Sequence, residues 1–506
     1  MPTVTIPSTG LGIIADEQPQ ELPDGAWSTG LNVRFRDGYA QRIKGHSSAL
    51  TAPAAAAYHV ARYNTGGNWI HATLAAAFAD NGTTKTDITG DAFTGGADDR
   101  FTSCVLGGVF IINNQKDVPK FWGGNVASNL ATLTGWDVND RCEAIRSFKS
   151  YLVALNITKT NTNYASMVKW SDVAAPGAIP SVWAAAADND AGEVDVAETS
   201  DSIVDGRALG DSFIVYKTSS MYSMQFVGGN DIFRFSRLPG DHGMLTQNCA
   251  ADFPGGHVVL TASDVIVHNG TGPSSILDGK MRRWLFSTMD STNCYRSFVV
   301  ANHAYGEVWV CFPKTGSTTC DRALIWNYTR GTFAIRELPS ATAGDFGPLI
   351  TTAADSWNAD TEAWDVDFTT WDGSDISNAD KRLMMSSTAS KLYLMDSSAS
   401  FDTVAYTSTL ERTGIAFGNP SKVKMIRSIV PRVDGAAGTV LSIQVGASFD
   451  AEKGVAWNAP ITYTVGSSYK ADVLASGRFL GIRLTGAVGS WRLKSVDIDY
   501  VETGNR

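Results

Sequence analysis

Short apolar runs alternate with polar turns along most of this chain. Six times between residues 107 and 408, such a run is followed by a turn rich in Gly, Asn, Asp, Ser or Thr, and then by a second run that carries an aromatic residue. These runs are too short for helices and rich in residues that strands favour, so each pair predicts a β-hairpin. The six pairs are 107–113 with 118–123, 150–156 with 167–172, 212–218 with 221–227, 256–262 with 264–270, 306–312 with 322–328, and 390–396 with 402–408.

The spacing of these hairpins indicates a repeated sheet. Their first runs start 43, 62, 44, 50 and 84 residues apart, close to the period of about 40 to 50 residues of a four-stranded propeller blade. A further pair of runs occupies residues 68–82. The pattern therefore predicts an all-β fold with a β-propeller of six or seven blades, and insertions on blades near 174–195 and 339–380.

The last hundred residues alternate more regularly. Leu441, Ile443 and Val445 are separated by polar residues, which is typical of strands with one buried and one solvated face. We therefore expect residues 409–506 to form a small β-sandwich or barrel, here called the platform.

The N-terminal region contains a strong turn signal. Asp37 and Gly38 separate two alternating segments, and this dipeptide favours a two-residue β-hairpin turn. We expect residues 1–57 to form a hairpin and a linker that pack on the platform, which leaves residues 58–408 for the propeller.

Charge and cysteine content narrow the class of protein. The chain has 506 residues, with 41 Lys and Arg against 51 Asp and Glu, and a formal net charge of −10. This balance argues against tight binding of nucleic acid phosphates, but suits a surface past which DNA moves without being held. The six cysteines lack CxxC spacing and are expected to be free thiols. The N-terminus has no basic leader, and no long apolar stretch predicts membrane insertion.

The sequence shows no recognisable catalytic constellation. The seven histidines occur singly, without HExxH spacing, and no GxSxG motif is present. We therefore expect no catalytic residue, no metal and no cofactor, and a protein that is not an enzyme. Propeller glycosidases draw their paired carboxylates from distant blades, so a glycan-degrading activity stays open as an alternative. Trp357, Trp364 and Trp371 would then stack on sugar rings.

Two groups of basic residues are candidate contacts with a neighbouring subunit or another partner. Arg34 and Arg36 belong to the N-terminal hairpin, and Lys422, Lys424 and Arg427 lie within the segment SKVKMIRSIVPR. The simpler interpretation of the second group is a strand whose solvent face is basic.

The two ends of the chain resemble a known family. Residues 22–46 (LPDGAWSTGLNVRFRDGYAQRIKGH), 410–435 (LERTGIAFGNPSKVKMIRSIVPRVDG), 477–486 (GRFLGIRLTG) and 491–500 (WRLKSVDIDY) carry the resemblance. They are similar to the ends of tail nozzle proteins, also called tubular tail proteins, of short-tailed bacteriophages (podoviruses). The predicted blades contain no string typical of that family.

This resemblance implies a propeller joined to a β platform, with six copies in a ring that extends the portal and adaptor channel. The protein would be a structural component of the virion tail, assembled in the cytoplasm of the host bacterium. It would bind the adaptor, offer a docking site for tail fibres, and conduct or gate double-stranded DNA without sequence-specific binding. The alternatives are a propeller that binds or degrades polysaccharide, and a propeller scaffold of a cellular complex.

Overall fold

The computed structural model describes residues 3–8, 10–63, 67–229, 231–349 and 381–505. This part of the chain consists largely of β-strands, with one α-helix (Arg282–Thr288) and one 3-10 helix (Cys294–Arg296). The all-β prediction is therefore confirmed.

The N-terminal strands are β1 (Thr3–Pro7), β2 (Gly12–Ile13), β3 (Ala26–Trp27), β4 (Thr29–Leu31), β5 (Val33–Arg36), β6 (Tyr39–Arg42) and β7 (Gly45–Ala49). The next strands are β8 (Ala57–Arg62), β9 (Trp69–Thr73), β10 (Ala77–Asp80), β11 (Lys85–Asp87), β12 (Thr102–Leu106), β13 (Val109–Asn113), β14 (Lys120–Trp122), β15 (Ala131–Thr132), β16 (Arg141–Phe148), β17 (Tyr151–Lys159), β18 (Thr162–Trp170) and β19 (Gly192–Asp195).

They are followed by β20 (Ile203–Leu209), β21 (Ser212–Lys217), β22 (Met221–Phe226), β23 (Phe233–Arg237), β24 (Ala250–Phe253), β25 (Gly256–Leu260), β26 (Val265–His268), β27 (Pro273–Ser275), β28 (Phe298–Asn302), β29 (Glu307–Phe312), β30 (Cys320–Asn327), β31 (Thr332–Pro348), β32 (Lys381–Ser387) and β33 (Lys391–Ser398). The C-terminal strands are β34 (Ser408–Ile415), β35 (Lys422–Gly435), β36 (Val440–Ser448), β37 (Ala456–Trp457), β38 (Ile461–Thr464), β39 (Ala471–Gly477), β40 (Phe479–Gly486) and β41 (Trp491–Asn505).

Strands β8 to β27 form five antiparallel sheets of four strands each, here numbered sheets 1 to 5, in which neighbouring strands follow each other in the sequence. Strands β28 to β33 and β7 continue as one larger sheet, to which β2 and β3 are attached. The long strand β31 joins its two halves: the first part of β31 pairs with β30, and the part from Ala341 onwards pairs with β32. The chain bends between them at Ser340, whose φ is 50°.

Apolar cores lie between successive sheets. Ile70 and Phe110 belong to the core between sheets 1 and 2, and Val153 and Phe213 to the core between sheets 3 and 4. On the other side of sheet 1, Trp69 packs with Met384 and Leu392 of the larger sheet. First strands also contact each other, as in β12 with β16, β24 with β28, and β31 with β8. Four-stranded sheets packed side by side in this way form a β-propeller, so this prediction is confirmed, while the number of blades stays a prediction.

Most of the predicted hairpins are confirmed. The first five pairs correspond to β13 with β14, β17 with β18, β21 with β22, β25 with β26, and β29 with β30, and residues 68–82 form β9 with β10.

The sixth predicted hairpin is wrong. Strand β33 pairs with β32 and with β7 from the N-terminal region, so both of its edges are occupied. The aromatic run after it serves as a connector instead. The ring of Tyr406 stacks on Phe401 at 4.0 Å, and its hydroxyl donates to the carbonyl of Ile43.

The first of the two predicted insertions lies largely between two strands of one sheet, and the second begins inside a strand. Within 174–195, Trp183 packs on Trp136 at 4.7 Å, and the segment ends in β19, the fourth strand of sheet 3. The start of 339–380 belongs to β31 and is no insertion. Trp357, Trp364 and Trp371 lie outside the described residues.

The platform consists of two six-stranded sheets. The first has the order β39-β35-β41-β6-β5 with β1 on β41, and the second has the order β37-β36-β40-β34-β4 with β38 on β36. Strands from both ends of the chain therefore build each sheet. The predicted hairpin turn is confirmed, because Asp37 (φ 52°) and Gly38 (φ 84°) both adopt the left-handed conformation of a two-residue turn.

Candidate functional site

The first strands of the propeller sheets enclose a central cavity of about 800 Å³. Strands β8, β12, β16, β20, β24, β28 and the second half of β31 all contribute to its wall. Among its lining residues are five cationic side chains and two carboxylates: Arg62, Arg100, Arg146, Arg207, Lys381, Asp252 and Asp345. We treat this central cavity as the candidate functional site of the propeller.

Arg146 connects three sheets at one side of the cavity. Its Nε and Nη2 atoms donate to the two carboxylate oxygens of Asp205 at 2.8 and 2.6 Å, and its Nη1 donates to the carbonyl of Ser103 at 2.9 Å. Burial would raise the pKa of Asp205, but Arg146 and the backbone N–H groups of Asn248 and Gly206 lower it. A bidentate, charge-assisted pair of this kind fixes β12, β16 and β20 relative to each other.

A second bidentate pair links β20 to β24. Arg207 donates from Nε and Nη2 to Asp252 at 2.7 and 2.8 Å. The two side chains are 38% and 54% exposed, and both line the cavity. Burial opposes the charge of Asp252, but hydrogen bonds from His257 and Arg207 hold the pKa of this carboxyl below its usual range. The pair therefore presents its charges to the cavity in ionised form.

His59 lies between the cationic groups of the cavity. Its Nε2 is 2.9 Å from the hydroxyl of Ser103, and its ring stacks on Phe101. Burial, together with the charges of Arg146 and Arg100, lowers its pKa to about 3. The imidazole is therefore neutral at physiological pH, and adds no charge to the cavity.

A buried ion network joins the platform hairpin to the propeller. Nε of Arg34 lies 2.6 Å from Glu307 of β29, and its Nη2 lies 2.8 Å from Asp396 of β33. Nη1 of Arg336 lies 2.7 Å from the other oxygen of Asp396. All four side chains are at most 2% exposed. Tyr305 covers the guanidinium of Arg34, whose Cζ lies 3.9 Å from the ring centroid.

The charges of this network balance. Burial disfavours the charge on Arg34, but Asp396 and Glu307 outweigh it and raise the pKa of the guanidinium. Burial likewise opposes the charge of Asp396, and its two arginine neighbours lower the pKa of its carboxyl. Two cations and two anions are thus retained in the interior because each has opposite charges within hydrogen-bond distance.

The five candidate contact residues fall into two groups. Arg34 is an internal residue, and Lys424 is fully buried, where its Nζ donates to the backbone carbonyls of Asn419, Lys422 and Arg478. The expectation that these two contact a partner is therefore corrected: their polar groups are used inside the chain.

The other three candidates reach the surface. Arg36 is 36% exposed and pairs with Asp37, Lys422 is 40% exposed and pairs with Glu502, and Arg427 is exposed. They are not brought together with the central cavity, because β5 and β35 belong to the platform.

The arginines of the cavity were not predicted from the sequence. Arg146 and Arg207 precede the predicted runs at 150 and 212 by four or five residues, and Asp252 precedes the run at 256 by four. A charged residue four or five positions before three of the predicted hairpins is therefore a usable signal. It becomes meaningful only once these strands are known to meet around one cavity.

Two further structural features bear on function. In the part of the chain that the structure describes, no three His, Cys, Asp or Glu side chains are grouped to hold a metal ion. No helix among the described residues is long and apolar enough to cross a membrane.

Comparisons with known proteins give only distant structural similarities. No protein-family model and no curated protein matches the chain. A WD40 β-propeller domain of Doa1 is 9% identical, with a TM-score of 0.34, covering 69% of this chain and 96% of that one. The WD40 domain of Neurospora crassa Pan2 is also 9% identical, with a TM-score of 0.36, covering 67% and 89%. Similarity this low says nothing about function.

Proposed function

We propose that the protein is the nozzle subunit of a podophage tail. In this proposal, six copies form a ring below the portal and adaptor, and the ring conducts the DNA genome during ejection. The subunit acts as a wall element, whose role depends on assembly rather than on chemistry at a single site.

One observation supports this proposal most: the segments that resemble tail nozzle proteins lie next to each other in the fold. In the first platform sheet, Leu493 pairs with Ala40 and Arg492 with Gln41. In the second, Leu410 pairs with Gly30 on one side and with Leu484 on the other. Strings from opposite ends of the chain thus form one structural unit, as expected if they share one role.

The ion network is consistent with a channel wall that resists mechanical force. Asn32 of the platform hairpin donates to the carboxylate of Glu337 at 2.9 Å, and its backbone N–H donates to Ile335 at 2.8 Å, both on β31. Together with the contacts of Arg34, these bonds connect the platform to three propeller strands, β29, β31 and β33. Such a connection suits a channel through which DNA passes under force.

The charge of the chain is consistent with passage of DNA. Six copies at −10 each carry a formal charge of about −60, and a wall of that sign repels the phosphate backbone rather than retaining it.

The platform offers a surface for contact between copies. Tyr469 and Leu474 are 81% and 64% exposed, and Val488 is 70% exposed. All three belong to the platform, the part of the fold that carries the resemblance to tail nozzle proteins. We assign these residues, with Arg36, Lys422 and Arg427, to contacts with neighbouring subunits or the adaptor.

The proposal is tested by negative-stain microscopy of the purified protein, alone and mixed with portal and adaptor complexes. We expect end-on views of sixfold rings, alone or at the adaptor end of these complexes. A protein that stays monomeric in both preparations and does not bind the adaptor would refute the proposal. Release of reducing sugar from host surface glycan would instead favour the polysaccharide alternative.

A further inference from the structure

The central cavity is positive although the chain as a whole is acidic. Among the described residues that line it, four arginines outnumber two carboxylates, whereas the chain carries −10. Burial raises the pKa of Asp345, while its hydrogen bonds from the backbone N–H groups of Arg62 and Phe346 lower it in part. A concave site with protein walls concentrates such an imbalance into a local positive potential.

Two of the arginines form no hydrogen-bonded ion pair with a carboxylate among the described residues. Arg100 donates only to the backbone carbonyls of Tyr295 and Ser297, at 3.3 and 3.1 Å. For Arg62, the backbone N–H donates to Asp345 but the guanidinium forms no hydrogen bond with a described residue, and its charge partly offsets the burial that raises the pKa of Asp345. By contrast, Arg146 and Arg207 are each held by an aspartate. The donors of Arg62 are therefore available to a ligand.

A glycine positions this free arginine. A Cβ built on Gly347 would lie 2.1 Å from Cδ and 2.7 Å from Cγ of Arg62. The aliphatic part of Arg62 thus occupies the space that any side chain at 347 would fill. Its backbone N–H also donates to Asp345 at 2.7 Å, which fixes the end of β8 against β31.

We propose that the central cavity binds a small polyvalent oxyanion of the phosphate type, with Arg62 as its principal donor. The planar guanidinium matches two oxygens of such a group. A cavity of about 800 Å³ has the size of a small-molecule site and is too small for a DNA duplex. This inference goes beyond the nozzle function and does not depend on it.

Isothermal titration calorimetry of the full chain with sodium pyrophosphate, in metal-free buffer at constant ionic strength, tests the inference. We expect saturable binding at one site per chain. Arg62→Gln should weaken it about tenfold, because one charge-assisted bidentate contact is lost. Absence of saturable heat up to about 10 mM pyrophosphate would overturn the inference.

Two further variants separate a specific site from general charge. Gly347→Ala keeps every charge but displaces the flexible end of Arg62, so it should also weaken binding while the protein stays folded. Arg427→Gln removes the same charge from the exposed surface of the platform, and should leave the affinity within about twofold. Equal weakening by Arg62→Gln and Arg427→Gln, or an unchanged affinity in Gly347→Ala, would contradict a site built around Arg62.

Discussion

The hydroxyl of Tyr216 lies 2.6 Å from Nδ1 of His257, in the interior of the propeller next to the central cavity. On its other side, the same hydroxyl lies 2.7 Å from Nε2 of His268. Nε2 of His257 faces the carbonyl of Ala208 at 2.9 Å and the carboxylate of Asp252 at 3.1 Å, and so must carry a proton. In the neutral ring, Nδ1 then accepts from Tyr216.

The direction of the second hydrogen bond of the Tyr216 hydroxyl, to His268, follows from the first. Because Tyr216 donates to His257, it accepts from Nε2–H of His268, whose Nδ1 faces the backbone N–H of Gly270 at 3.3 Å. Every polar atom is satisfied in this one arrangement. Protonation of His268 would place its Nδ1–H against the backbone N–H of Gly270, so this arrangement requires a neutral His268 ring.

Removing the central hydroxyl should destabilise the protein. Tyr216→Phe leaves two buried ring nitrogens without their partner, and we expect a loss of about 1–3 kcal/mol in the free energy of unfolding. Denaturant unfolding measures it. Tyr164→Phe is the matched control, because Tyr164 is 39% exposed and its hydroxyl is accessible to water. Equal stability of the Tyr216 and Tyr164 variants would show that the hydrogen bonds of Tyr216 contribute nothing to the free energy of unfolding.

Two arginines of the platform hairpin should differ sharply in their contribution to the stability of the protein. Arg34→Ala leaves Glu307 and half of Asp396 uncompensated in the interior, and we expect a loss of about 3–5 kcal/mol. Arg36→Ala removes an exposed pair with Asp37 and should cost about 1 kcal/mol or less. The midpoints of urea unfolding of the two variants measure this difference in stability. Similar losses would mean that Arg34 is not part of a buried network.

Stability should fall as the solution becomes mildly acidic. Burial lowers the pKa of His59 to about 3 and those of His46, His71 and His268 to about 4. Nearby Arg or Lys side chains contribute to this lowering at His59, His46 and His71. The unfolded chain therefore binds more protons than the folded one below about pH 6.5, and stability is lost as the pH falls through this value towards 4.

Urea unfolding at two pH values measures this effect. We expect the free energy of unfolding to be lower at about pH 5 than at about pH 7.5 by roughly 2 kcal/mol or more. Glu143 and Asp345 act in the opposite direction, because burial raises the pKa of each carboxyl, but the four histidines outnumber them. An unchanged or higher stability at the lower pH would contradict the neutral state of these rings.

Local features of the fold were predictable from the sequence, and distant pairings were not. The turn at Asp37 and Gly38 follows from backbone preference alone. Strand β33 was assigned to the wrong hairpin because its true partner β7 comes from the other end of the chain. Arg34 alternates with apolar neighbours like a surface residue. Its burial depends on Glu307 and Asp396, which no local pattern connects to it.

Exposed apolar residues of the platform should govern assembly rather than folding. Replacing Tyr469 and Leu474 together by Lys should change the free energy of unfolding by less than about 1 kcal/mol, because both side chains are largely in solvent. It should abolish ring formation. Val138→Lys, a change of a residue 70% exposed on the propeller, is the control and should leave rings intact. Normal rings in the double variant would exclude this surface as the subunit contact.

The central claim is that the protein functions as a closed ring of identical subunits on the adaptor. Native mass spectrometry of the protein assembled on purified portal and adaptor complexes tests it most directly. Six copies of 54.1 kDa add about 325 kDa to the complex, and the account predicts this increment. A species that stays at 54.1 kDa and adds no mass to the complex would contradict the account.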